Sequence, residues 1–551
     1  MEKSGTISTS TSFGGGLAAG AIAIAIALLI RSFAGGPFIP ELASQTLFSL
    51  TPGQFESQAV ENFGPLAKYS AFSGAIVANF VLYGLFATLL GRLYDTFLWK
   101  GYIGRAILSS LLAYIILLTI AVLLVTITEA RTHTQATSYT RLVISLILPQ
   151  IAFGFTLSSF YGRATLPSKI SAPEKPTKAT QEIDYKKRIF LRAGIATIIA
   201  IPILLFGLNR LFFRQETQLP QPSSTALLPL QSKSKPPPGF EDPRLAPLLN
   251  SEVTPTYLFY RIDINPIVPV VDAGSWNLTI KGEVNNPLSM GYEEIKAMPS
   301  VEEYATLQCV SNKIGGDLIS TALWKGVRLK DLLARAQLRP GAKYIVFRCY
   351  DGYDVGIPLE RGLLDGTILA HEMNLAPLTP EHGYPVRAIV PGLYGMMNPK
   401  WITEIELVDN VYEGYWQRNG WTNIATEDTH SFIVLPGQAL LRDRFRNLEQ
   451  ESVNIVPGQK VPVAGVAFAG DRGILKVEVS TDGGASWKSA RIKDPLSKYT
   501  WVLWSAGFTP ATSQTNYRIV VRATDKTGKV QTAEVRPPFP DGNTGYHVIN
   551  I

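Results

Sequence analysis

Five apolar stretches in the first 215 residues constrain this chain more than any other feature. They run roughly from Gly15 to Ile30, Ala71 to Leu90, Ile107 to Ile127, Leu142 to Phe160 and Ala193 to Phe213. A helix needs about 20 apolar residues to cross a bilayer, and every backbone polar group within it must be satisfied internally. The spacing therefore predicts an α-helical membrane bundle of about five spans over residues 1–214. The first stretch is the shortest and follows a polar Ser/Thr/Gly-rich tail, so a cleaved signal peptide competes with a span there. Its Ala and Gly content suits close helix packing. Composition agrees, with 46% hydrophobic and only 17% charged residues.

The basic residues give the orientation. Arg92, Lys100 and Arg105 separate the second and third stretches, and a run from Arg163 to Arg192 separates the fourth and fifth. Both loops fall on one side, which the positive-inside rule makes cytoplasmic. The N-terminus is then inside, and everything after the fifth span lies on the extracytoplasmic side of a cell (inner or plasma) membrane. The net charge of +7 is explained by these loops. Neither zinc-finger spacing nor a basic, aromatic-bearing stripe points to nucleic acid. Lys187-Arg188-Ile189-Phe190-Leu191-Arg192 reads equally as a basic juxtamembrane cluster or as a twin-arginine-like export signal with Lys in the first position. The predicted spans contain no histidine, and the chain has no Cys-x-x-Cys-His, so no haem is expected within it. Asn79 and Gln150 read as helix–helix contacts.

Residues 215–253, rich in Pro, Ser, Gln and Leu and containing Pro236-Pro237-Pro238, are expected to form a semi-extended linker. From residue 254 to 436, short strand-like runs (Trp276 to Ile280, Tyr344 to Phe347) mix with a short amphipathic helix from Lys330 to Gln337, which gives an α+β domain. From 437 to 551, alternating runs at Val461 to Phe468, Leu475 to Val479 and Tyr517 to Ala523, with a hairpin signal at Asp482-Gly483-Gly484, read as a β-sandwich. Arg518 and Arg522 share one face of the last run.

Two cysteines, Cys309 and Cys349, build neither a disulfide framework nor a four-cysteine metal site. A lone Cys in an apolar run is ordinarily a small core residue. Its neighbours change the reading of Cys309. Leu258-Phe259-Tyr260-Arg261-Ile262-Asp263, Leu307-Gln308-Cys309-Val310-Ser311-Asn312 and Glu381-His382-Gly383-Tyr384-Pro385-Val386-Arg387 occur in order, followed by Val390-Pro391-Gly392 and Lys400-Trp401. Together these resemble the ordered signatures of the sulfite oxidase family, from about Thr254 to the C-terminus. The resemblance implies a molybdenum cofactor with one pyranopterin dithiolene, and an immunoglobulin-like dimerisation domain at 437–551. It makes Cys309 the thiolate ligand, chemically apt because a soft thiolate suits a metal already held by sulfur. Phe259, Tyr260, Arg261, Ile262 and Asp263 would line the pterin. Arg261 would also hold an oxyanion substrate in its guanidinium fork. Asp351, His382, Arg387, Asn398, Pro399 and Lys400 match pterin-contacting positions. Taken alone, His382 and Asp351 read as turn residues. Cys349 matches no role and reads as a buried thiol.

Two positions depart from the sulfite-oxidising pattern. Lys313-Ile314 stands where that pattern has basic residues. Trp421 stands where it has an active-site Tyr, shortly after Tyr415-Trp416-Gln417-Arg418. An indole donates a hydrogen bond but has no ionisable hydroxyl. The expected function is a membrane-anchored, molybdopterin-dependent oxidoreductase. It would catalyse two-electron oxygen-atom transfer outside the cytoplasm, with Arg261, Cys309 and Trp421 at the reaction. It would act on a small oxyanion, use a separate electron-transfer partner and form a homodimer. One alternative is an S-oxide or N-oxide reductase of the same family. A second is an anchored, non-catalytic binding module.

Overall fold

A computed structural model describes residues 9–63, 66–96, 101–132, 138–161, 236–436, 456–511 and 516–551. Its contacts divide the chain into two compact units. The helical unit holds residues 1–50, 66–218 and 264–267. The catalytic unit holds residues 51–65, 219–263 and 268–551.

In the helical unit lie α1 (Thr9–Ala34), α2 (Ile39–Leu50), α4 (Leu66–Thr96), α5 (Tyr102–Thr132) and α6 (Tyr139–Tyr161); α3 (Gly53–Phe63) falls in the catalytic unit. Four helices are long and apolar enough to cross a membrane, over Ser12–Ala34, Tyr69–Tyr94, Tyr102–Ala130 and Tyr139–Phe160. The expected fifth span, like the basic run before it, lies outside the described residues. Small residues permit the packing of α1: a Cβ on Gly16 or Gly20 would come within 3 Å of α4, at Tyr83, Gly84 or Ala87. Gln150 of α6 donates from Nε2 to the Tyr83 hydroxyl at 2.9 Å, so it is a helix–helix contact as expected. The short α2, not foreseen, packs on α4 and α5 and carries a buried Glu41 paired with Arg31 at 2.6 Å.

The catalytic unit is β-rich. One five-stranded sheet runs β2 (Leu288–Gly291), β1 (Asn277–Gly282), β10 (Ile402–Val408), β5 (Tyr344–Cys349), β6 (Asp354–Pro358). Only β1 and β10 pair in parallel, with Thr279 opposite Glu404. A second sheet runs β3 (Ser300–Gln308), β4 (Ile319–Arg328), β7 (Ile368–Met373), β8 (Ala376–Pro377), with β9 (Arg387–Ile389) also on β7. In β3, Ala305 and Leu307 face a core shared with Phe259, Trp324 and Ile389, which pins the register because a one-residue slip would turn that face outward. The amphipathic helix forms over Leu329–Ala336, burying Leu329, Leu332 and Leu333.

Two four-stranded antiparallel sheets close the chain. One is β11 (His430–Leu435), β12 (Val461–Phe468), β16 (Val502–Phe508), β15 (Arg491–Ile492); the other is β14 (Lys488–Ser489), β13 (Ile474–Ser480), β17 (Arg518–Asp525), β18 (His547–Asn550). Ile433, Val463 and Trp504 of the first meet Val477, Ile519 and Val521 of the second in one core. Arg522 pairs with Glu478 at 3.0 Å on the outer face. Within the stretch read as linker, residues from Phe240 onward are instead structural: Phe240, Leu245 and Leu248 are buried against β11 and β12. Composition there masked three apolar anchors.

Candidate functional site

Cys309 opens the connection between β3 and β4, whose ladder ends at the pair Gln308–Ile319. Its amide donates to the Leu318 carbonyl at 2.9 Å, and Asn312 N–H returns to the Cys309 carbonyl at 3.0 Å. The Asn312 side-chain oxygen accepts from Leu318 N–H at 3.0 Å. The thiol is therefore carried on a braced turn, with the Ser311 hydroxyl 3.1 Å from Sγ. Neither cysteine is in a disulfide.

A chain of contacts joins most of the other residues singled out in the sequence. Phe259 stacks on Tyr260 and meets Trp324 and His382 edge-on, with centroids 5.5–5.6 Å apart. Tyr260 N–H donates to the Ser320 hydroxyl at 3.1 Å, which ties this stretch to β4 next to the Cys309 turn. Gly395 lies so close to the Tyr260 hydroxyl and the Gln308 carbonyl that a Cβ there would displace the tyrosine. The Asp263 carboxylate, 6% exposed, forms ion pairs with Lys400 and with Arg261, whose Nε stands 3.1 Å away. Lys400 also donates to the Glu381 carbonyl at 3.0 Å and lies over the Trp401 ring. Burial pulls the Lys400 ammonium below its ordinary range. Arg387 donates to the carbonyls of His382 and Asn398 at 3.1 and 3.2 Å and stacks over Trp324. Burial lowers it to about 10, which leaves it a cation. His382 is pulled down to about 3, first by desolvation and then by Lys400 and Arg387, so its ring is neutral and Nε2–H donates to the Thr256 carbonyl at 2.8 Å. Desolvation, with Asp263 adding to it, raises Asp351 to about 7.

Asn398 is placed differently. Its Oδ1 accepts from Val390 N–H at 2.6 Å, and its Nδ2 donates to the carbonyls of Leu393 and Tyr394 at 3.3 and 3.1 Å. That side chain is committed to its own loop, and Pro399 contributes its carbonyl to Ala388 N–H at 2.9 Å. Ile262 is half-buried and makes no specific polar contact. Trp421 stands in a second cluster, edge-on to Trp416 and Phe539 with centroids 6.4 and 5.2 Å apart. The residues from Phe539 to Asn543 connect this cluster to the Cys309 turn: Asn543 donates to the Asn312 carbonyl at 2.5 Å. At ~3.5 Å per residue, the Cα atoms of Phe539 and Asn543 lie within about 14 Å of each other.

Buried polar groups in this neighbourhood without a partner among the described residues include Gln308 Oε1, Asn312 Nδ2 and Arg387 Nε. Unpaired buried donors and acceptors are costly, at ~1–3 kcal/mol each. Gln308 and Asn312 flank the thiol in the chain, Asn543, whose Oδ1 is likewise unpartnered, reaches the same turn, and Arg387 belongs to the cationic cradle; such orphaned groups fit a polar ligand. Gln308 and Asn312 flank Cys309 in the sequence, so adjacency alone could have marked them. Asn543 lies 231 residues from its partner and left no such signal. Among the described residues, no trio of His, Cys, Asp or Glu could hold a metal.

The match to known families gives the class, a molybdopterin-binding oxidoreductase. Residues 265–416 match the family described as "Oxidoreductase molybdopterin binding domain", and residues 446–537 match "Mo-co oxidoreductase dimerisation domain". The chain is 30% identical over 359 residues to the sulfite oxidase of Arabidopsis thaliana, which covers 56% of this chain and 88% of that one. It is 30% identical over 323 residues to the mitochondrial sulfite oxidase of Macaca fascicularis, covering 53% and 59%. The solved sulfane dehydrogenase SoxCD of Paracoccus pantotrophus aligns with a TM-score of 0.47 at 22% identity, over 54% of this chain and 81% of that one. The protein belongs to the sulfite oxidase family and is a molybdopterin-dependent oxidoreductase.

Proposed function

We propose that this chain is a membrane-anchored enzyme that moves one oxygen atom and two electrons at a molybdenum centre on the extracytoplasmic side. The observation that carries the site is the pair of orphaned polar groups at Gln308 and Asn312 beside Cys309, with a further one on Arg387 in the cationic cradle. The four apolar helices and the basic loops support the anchoring and the orientation. The stretch from Ala193 to Phe213 is taken as the fifth span, and the C-terminal sandwich as an immunoglobulin-like module that pairs two copies of the chain.

A bound molybdenum–pterin group supplies the two-electron exchange. The chain's residues hold and orient it. Cys309 provides the thiolate from a turn that its own hydrogen bonds make rigid. Lys400 and Arg387 supply positive charge to the pterin and its phosphate, and Asp263 holds Lys400 in place. His382, neutral at physiological pH, fixes the Thr256 backbone and presents an uncharged ring edge. Phe259, Tyr260, Ile262 and Asp351 complete the cradle, while Asn398 and Pro399 shape the loop that carries Lys400. Arg261, about one-third exposed, reaches toward the substrate and can grip an oxyanion in its planar fork. Trp421 offers the substrate a hydrogen-bond donor that cannot release its proton. This last property favours the second reading: reduction of an S-oxide or N-oxide needs a donor to the oxide oxygen and no ionisable phenol. A separate protein or membrane carrier exchanges the electrons.

The deciding experiment is elemental analysis of the purified chain beside Cys309→Ser. About one molybdenum per native chain, with the variant losing its thiolate-to-metal absorption, supports the reading. A well-folded native protein without molybdenum, produced where the cofactor is made, overturns it in favour of a binding module. Turnover of sulfite with an artificial acceptor, against turnover of dimethyl sulfoxide with a reduced viologen, separates the two directions.

A further inference from the structure

Between the first and second apolar helices, the segment that follows α2 does not cluster with them. Residues 51–65 belong to the catalytic unit, whereas the residues up to Leu50 and from Leu66 belong to the helical one. The first turn of α3 is seated on the Trp421 cluster. Gly53 N–H donates to the Asn419 carbonyl at 3.1 Å. A Cβ at Gly53 would lie 2.6 Å from that carbonyl, 2.9 Å from Trp421 Nε1 and 2.9 Å from the Phe539 ring. Glycine here permits a close approach and serves no unusual backbone angle. One turn later, Glu56 and Ser57 are buried, and the Glu56 charge helps push the Tyr415 hydroxyl above its ordinary range, after desolvation.

Beneath this contact, Trp421 is 6% exposed and its indole N–H has no acceptor among the described residues. A buried N–H without an acceptor is rare enough in proteins to call for a partner that binds there. The walls around it are the Phe539 ring, the Trp416 ring and the Gly53 backbone. Two of these neighbours are aromatic rings and the third is backbone, and the indole N–H is the unpartnered donor among them.

We propose that α3 forms the roof of the substrate subsite at Trp421, and that Gly53 and Phe539 restrict that subsite to a small substrate presenting one oxygen to the indole N–H. The proposal deepens the function proposed above and rests on Trp421 facing the substrate. It makes α3, which lies in sequence between two membrane helices and outside the family-matched regions, a specificity-determining element. A bulky substituent on the substrate is excluded by the glycine backbone, which has no side chain that can swing away.

The test uses the full chain in detergent. Oxidation of tryptophans by N-bromosuccinimide, read by mass spectrometry on the Trp421 peptide, reports the roof without needing turnover. Native Trp421 should react slowly, and the amides of residues 51–57 should exchange slowly with deuterium. Gly53→Leu should raise the Trp421 oxidation rate at least fivefold. Phe539→Ala, which opens the opposite wall and leaves α3 intact, should do the same. The ratio of kcat/KM for methyl p-tolyl sulfoxide to that for dimethyl sulfoxide, or the KM for sulfite if the enzyme runs as an oxidase, should shift about tenfold in both variants. Fast exchange of residues 51–57 in the native chain, or unchanged Trp421 oxidation in both variants, overturns the roof. Opened Trp421 with unaltered substrate preference overturns the specificity role. Opened Trp421 in a chain that turns over no probe leaves α3 as a cover and overturns the placement of substrate beneath it, a failure of the proposed function.

Discussion

The Trp421 cluster is propped from below by one buried ion pair, and removing half of it should have a calculable effect. Asp354 is fully buried, and both of its carboxylate oxygens face the Arg418 guanidinium, at 2.7 and 3.0 Å. Arg418 ends the short helix Tyr415–Arg418 that carries Trp416 and leads into Trp421. Arg418→Met leaves a carboxylate at zero exposure with the Tyr412 hydroxyl as its remaining partner. Breaking a buried pair from one side costs ~3–5 kcal/mol, and the surviving hydrogen bond puts the expected loss near the lower end, about 3 kcal/mol. Removing both charges with Asp354→Leu/Arg418→Met abolishes the stranded charge and should recover most of this, leaving the double variant within ~1 kcal/mol of native. The two changes should therefore be strongly non-additive, with a coupling of at least about 2 kcal/mol plus whatever Asp354→Leu costs alone. Urea unfolding followed by tryptophan fluorescence measures this well, because every tryptophan except Trp99 lies in the catalytic unit. A single Arg418→Met variant within ~1 kcal/mol of native, or a double variant as unstable as the two singles added, would refute the reasoning.

Other outcomes follow from the same geometry. Burial holds His547 down to about 4, and its neutral Nδ1 accepts from Ile433 N–H at 2.8 Å, so its contribution is complete above about pH 6.5 and is lost as pH falls toward 4. His547→Gln should flatten the pH dependence of stability in that window by about one proton, although His382 and His430, shifted the same way, keep the sign. Asp351 has the opposite sense: its raised value makes the native state hold a proton that the unfolded chain gives up between about pH 4 and 7. Asp351→Asn should therefore make the cofactor-free protein gain stability relative to native as pH rises across that range, read by thermal unfolding. Gly395→Ala places a methyl against the Tyr260 hydroxyl and should lower molybdenum content several-fold in a protein with native circular dichroism. Asn543→Leu removes the brace on the Asn312 carbonyl and should raise amide exchange in residues 309–318.

What could be read in the sequence was whatever depends on near neighbours. Helices long and apolar enough to cross a membrane are legible because each satisfies its own backbone, so length and hydropathy suffice. Strands such as β5 and β12, and the helix Leu329–Ala336, carry their periodicity in a few consecutive residues. The Cys309 turn and its flanking Gln308 and Asn312 are adjacent in the chain, and the ordered motifs named the family before any contact was known. What the sequence hid depends on distant partners. Composition made residues 239–253 a spacer, yet Phe240, Leu245 and Leu248 find a core only because β11 and β12 lie some 200 residues away. The hydrogen bonds of the Asn398 amide to Val390, Leu393 and Tyr394 likewise appear only in three dimensions.

The sequence by itself determined that this chain has membrane-length helices, a β-rich body and a single thiol suited to a sulfur-bound metal, because these follow from local pattern and from residue chemistry. The tertiary structure alone decided that Asp263 holds Lys400, that Asn543 braces the Cys309 turn, and that Gly53 is seated on Trp421 across 368 positions of chain. Such contacts are set by packing and burial summed over both sheets, and no local pattern encodes them.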